Sequence, residues 1–110
     1  MAGLRVSDLI ESMTSAARES LAEDWPRGRD YAEPELAKLA QSLIDITRLA
    51  ASGRINDQQA KALLRIHRNT TLTVMLTVEG LGVIAVENAI NAALAAVRDT
   101  VNAVTPFRLL

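Results

Sequence analysis

The sequence predicts an all-α fold, a helical hairpin with a long third helix, packed as an oligomeric helical bundle. Three observations lead there. Hydrophobic residues make up 49% of the 110 but aromatic ones only 3%, so Ala, Leu, Val and Ile carry the apolar content, and Ala is the strongest helix former. The large residues Leu72, Leu76, Val83, Val86, Ile90, Leu94, Val97, Val101 and Val104 recur at steps of three, four or seven, the period of one helical face. A second row, Gly82, Ala85, Ala89, Ala92, Ala96 and Ala103, repeats at the same spacing with small side chains only. A helix apolar nearly all round must be surrounded, and the rest of so short a chain offers little cover. Further copies of the chain are expected to supply it.

The elements follow in order. A first helix is expected from about Ser7 to Glu23, where Val6, Leu9, Ile10, Met13, Ala17 and Leu21 form one apolar stripe. Asp8 followed by Glu11 resembles a capping box. The stripe is thin, which predicts a peripheral helix. Residues 24–34 hold Pro26, Gly28 and Pro34 and are expected as a linker, because proline removes a backbone donor and glycine turns freely.

The second helix is expected over Pro34–Ala51, with Pro34 in its first turn, where the missing N–H costs nothing. Leu36, Leu39, Ala40, Leu43, Ile46, Leu49 and Ala50 share one side of it. Gly53 is placed to end that helix in the left-handed conformation. Asn56, with Gln59 three residues on, is placed to cap the next. A tight turn between antiparallel helices follows.

The third helix starts at Asp57 and is expected to run unbroken to Val104, a length of roughly 70 Å. Gly80 and Gly82 lie near its middle, but an isolated helical glycine costs only about 1 kcal/mol against alanine, and no turn cluster accompanies them. Thr105 and Pro106 end it and leave the apolar tail Phe107, Leu109 and Leu110. The expected organisation is one domain, 1–110, made of a peripheral helix and linker (1–33), the second helix and turn (34–55), and the long helix with its tail (56–110).

Net charge is −1, which gives no general attraction to nucleic acid or acidic lipid. The distribution is uneven: net −3 over residues 1–34, +3 over 35–70 and −1 over 71–110. The absence of cysteine excludes disulfides and thiolate metal sites, and fits a reducing compartment. No apolar signal segment follows Arg5, so a cytoplasmic protein is expected.

Four residues stand out as a candidate polar site: Glu79, Glu87, Asn91 and His67. Glu79 interrupts the large apolar stripe, where an unpartnered charge is costly, so it is expected either to pair with an Arg of a neighbouring helix or to reach an end of the bundle, ahead of a metal or proton role. Glu87, Asn88 and Asn91 share a polar strip with Thr73, Thr77, Arg98 and Asn102. That strip is a solvent face, or a polar interior that fixes register in an oligomer, as buried Asn does in coiled coils. His67 is the sole histidine. The Glu-x-x-His spacing of di-iron bundles is missing, since Leu64 holds the acidic position, and no nucleophile is identified for His67 to activate. Neither a cofactor nor a metal is expected.

Lys61, Arg65 and Arg68 form a basic stripe beside the Gly53 turn and invite a helix-turn-helix reading. Leu49 and Gln59 depart from that pattern, so the stripe is expected to meet solvent or the acidic first helix. Leu72–Val97 is long enough to span a membrane, but Glu79 and Glu87 fall inside it. The expected function is non-enzymatic: a homo-oligomeric scaffold or protein–protein interaction module. Its interface would be built from Gly82, Ala85, Ala89, Ala92 and Ala96, with Leu76, Val83, Val86, Ile90, Leu94 and Val97. The expected partners are further copies of the chain, with another protein as the alternative. The alternatives are a membrane-active or pore-forming protein, then a nucleic-acid-binding regulator.

Overall fold

The computed structural model describes residues 4–110, which form helices joined by turns and short irregular segments, with no strand among them. The helices are α1 (Val6–Leu21), α2 (Trp25–Ala51), α3 (Asp57–Met75), α4 (Val83–Ala96) and the short α5 (Arg98–Asn102). A single 3-10 turn, Ala22–Asp24, joins α1 to α2. The chain is all-helical and compact, with principal extents of 42 × 25 × 18 Å.

The turn between α2 and α3 forms as expected. Gly53 has φ +76°. The Asn56 side chain accepts from the Gln59 backbone N–H at 2.8 Å, and the Gln59 side chain accepts from the Asn56 N–H at 2.9 Å. Two orphan donors at the start of α3 are thereby satisfied.

Three expectations are corrected. The first concerns α1, which is not peripheral: it packs against α2 and, most extensively, against α4. Met13 and Ala17 are fully enclosed, and Leu9 and Leu21 nearly so. A stripe one residue wide suffices when the facing helix presents small side chains, and α4 presents Ala89 and Ala93, both fully buried.

Residues 25–34 are not a linker but the first third of α2, which continues through Pro34. Pro34 lies on the exposed side, while Ala32, Glu35 and Leu36 beside it are buried, so burial on the inner side offsets the lost hydrogen bond. Gly28 is buried inside the helix, and a Cβ there would come within 2.9 Å of Leu81 Cδ1. It is glycine because a neighbouring turn packs onto the helix surface, not because the chain bends there.

The long third helix is two helices. A continuous rod of roughly 70 Å would outreach the 42 Å long axis of the molecule, with much of its apolar surface uncovered. The chain instead reverses over residues 76–82, where Gly80 takes φ +90°. Val78 and Leu81 anchor the turn in the core. The Arg27 guanidinium donates from Nη1 to the Gly80 carbonyl at 3.3 Å. The reversal lets α4 lie against α1 and bury Val86, Ile90 and Val97, each worth roughly 1.5–3 kcal/mol. A few forfeited helical hydrogen bonds, at about 1 kcal/mol each, do not outweigh that. Gly80→Ala should cost about 1–2 kcal/mol, because an L side chain is disfavoured at positive φ and the new Cβ meets Arg27 at 3.0 Å. Chemical denaturation of the variant beside the parent measures it.

The C-terminal tail folds back. Asn102 Oδ1 accepts from the backbone N–H groups of Leu109 and Leu110, both at 3.0 Å, and its Nδ2 donates to the Leu110 carbonyl at 3.1 Å. This clasp holds Leu109 in the core.

Candidate interaction surface

The residues named from the sequence as an oligomer interface divide in two. Val86, Ala89, Ile90 and Val97 are buried within the chain itself, against its own helices. They are core. Leu76, Ala85, Ala92 and Leu94 are half-buried, and Gly82, Val83 and Ala96 are exposed. Within α4 the apolar period marks the buried side, and its cover comes from α1 of the same chain.

The outward face of α4 runs Ile84, Asn88, Asn91, Ala95, one row at steps of four, three and four, with every member exposed. Ile84 is 76% exposed, and its neighbour Val83 is 53% exposed. The row carries no formal charge, whereas the outer face of a solvated helix is normally charged. Glu87 is the only charged residue in α4. It is half-buried one turn before Asn91. The Arg68 guanidinium on α3 donates from Nη2 to Asn91 Oδ1 at 2.8 Å, which fixes the orientation of the amide.

Glu79 lies in the α3–α4 turn, exposed and without an ion pair among the described residues. Of the two structural expectations the ion pair is not met: the break in the helix carries the residue out of the apolar stripe and into the exposed turn at the end of α3. Glu79→Gln should therefore shift stability by no more than about 0.5 kcal/mol, read by thermal unfolding. Of the two expectations for the basic stripe the structure takes the solvent one: Lys61 and Arg65 are exposed, and α3 packs on α2 and α4 rather than on the acidic first helix. The ion pairs of the described residues, Asp24–Arg27, Arg29–Glu33 and Glu35–Lys38, are all one helical turn long.

His67 lines a small cleft between α2 and α3 of about 100 Å³, with Glu35, Lys38, Leu39, Ser42, Thr70 and Thr71. Glu35 is 6% exposed and accepts from Lys38 Nζ at 2.9 Å. Sequence reasoning missed it, because the residue was taken as the start of a helix rather than its buried middle. The available signal was its i,i+3 spacing to Lys38 beside Leu36. The Ser42, Thr70 and Thr71 hydroxyls each donate to a carbonyl one turn back in their own helix. None is hydrogen-bonded to His67 as a nucleophile to its base would be. Among the described residues no three His, Cys, Asp or Glu side chains gather as a metal site, and no helix is long and apolar enough to cross a membrane.

Comparison with protein-family models, with curated proteins and with solved structures found no match for the chain.

Proposed function

We propose that this chain is a homo-oligomeric helical module whose work is to hold protein surfaces together. The observation that carries this reading is the exposed, uncharged outer face of α4. Interface cores are depleted of charge relative to the rest of a protein surface, and this face is a helix-long strip of that kind headed by Ile84. Gly82, Val83, Ala85, Ala92 and Ala96 border the strip with small or short side chains that allow another helix to approach closely. The assembly surface is thus the outer side of α4, in place of the large apolar stripe.

The test is mass by light scattering coupled to size exclusion at micromolar concentration. The parent should run at two chains or more, against 11.9 kDa for one chain. Ile84→Glu, at a site open to solvent in the single chain, should keep its helicity and fall to a single-chain mass. A single-chain mass for the parent overturns the reading.

A further inference from the structure

We infer that α4 packs on α4 of a second copy, antiparallel about a two-fold axis, with Ile84 of one copy against Ala95 of the other and Asn91 against Asn88. This rests on the assembly reading above and specifies its partner and register.

The row Ile84, Asn88, Asn91, Ala95 reads the same from both ends in its spacing, four, three, four. An antiparallel two-fold centred between Ala89 and Ile90 therefore brings each member opposite another member of the same row. The chemistry matches in that register. The largest side chain meets the smallest, as close helix packing requires, and an amide meets an amide. Each amide pair has a donor and an acceptor to satisfy: Asn91 Oδ1 is engaged by Arg68, and its Nδ2 has no partner among the described residues and remains as a donor. Asn88 is exposed with no side-chain hydrogen bond among the described residues, so its Oδ1 is a free acceptor. In a parallel arrangement Ile84 would meet Ile84, and Asn91 would present its donor to another donor.

Charge complements the same register. Arg68 sits at the level of Asn91 on the α3 flank, and Glu87 lies one turn from Asn91 on α4. The two-fold carries Glu87 of the second copy to the level of Ala92, beside Arg68 of the first. Each copy then contributes one guanidinium and one carboxylate to two equivalent pairs. Such symmetric, self-complementary contact is the commonest form of homodimer interface.

The chain contains no cysteine, so introduced thiols report the register directly. Ile84→Cys and Ala95→Cys chains, mixed and oxidised, should give a disulfide-linked dimer on a non-reducing gel. Ile84→Cys alone should not, since two copies of residue 84 would lie about 16 Å apart along the helices at 1.5 Å per residue, beyond the roughly 4.4–6.8 Å Cα separation of a disulfide. Independently, Ala95→Ile should weaken dimerisation tenfold or more, and adding Ile84→Ala to it should restore the affinity by exchanging large for small. Cross-linking of Ile84→Cys with itself, or a parent-like mass for Ala95→Ile, overturns this register while leaving the module oligomeric. A single-chain mass for the parent removes both.

Discussion

Met13→Ala should lose about 2–5 kcal/mol of stability, the range for truncating a fully buried large apolar side chain. Met13 has no exposed surface and lies on the buried stripe of α1 with Leu9, Ala17 and Leu21. Removing its thioether leaves a void in the core where α1 packs on α4 and α2, and the surrounding side chains, held by their own packing, close it only in part. Set against the roughly 5–15 kcal/mol that typically keeps a domain folded, the loss is large. Urea unfolding of parent and variant at one protein concentration measures it. A change under 1 kcal/mol would mean that α1 lies loosely on the surface, as its thin stripe first suggests, and that α4 is covered by something else.

The helix-forming segments were legible because their signals are local. The capping box of Asn56 and Gln59, the positive φ of Gly53 and the apolar period of α2 need no knowledge of the rest of the chain. The break at residues 76–82 was illegible for the opposite reason. Gly80 and Gly82 together weigh only about 2 kcal/mol against a continuous helix, and the factor that decides is burial of Val86, Ile90 and Val97 against a helix more than sixty residues earlier. Periodicity reports that a face is apolar without reporting what will cover it.

The same limit governs residues 25–34. Two prolines and a glycine read as punctuation, yet Pro26 sits at the helix start, where its missing donor is free, and Pro34 sits on the solvent side. Gly28 marks the seat of Leu81. The identity of a glycine in sequence does not distinguish a bend from a close approach, and the two lead to opposite secondary structures. At the candidate surface, Asn88 and Asn91 are legible in the sequence as a polar strip, and such a strip is either a solvent face or a device that fixes register in an oligomer. Ile84 lies outside both repeating rows, so the period that marks the buried side carries no signal for its exposure.

Ala89 and Ala92 belong to one small-residue row in sequence, and the row places both in a contact between chains. Their surroundings separate them. Ala89 is fully buried in the core between α1 and α4, whereas Ala92 is half-buried at the edge of the uncharged face. Ala89→Leu should therefore cost about 1–3 kcal/mol by forcing the two helices apart, and it should do so in the single chain, at concentrations where no assembly survives. Ala92→Leu has room to turn its side chain outward, so the unfolding free energy of the single chain should move by no more than about 0.5 kcal/mol. Its effect should fall on mass instead, because the added bulk stands beside the row through which a second α4 would approach. Chemical denaturation and light scattering on the same two variants separate the outcomes. Equal destabilisation by both would place Ala92 in the core with Ala89 and remove it from any surface. A loss of mass from Ala89→Leu with an unchanged unfolding free energy would restore the row to an interface between chains and contradict the packing of α4 on α1.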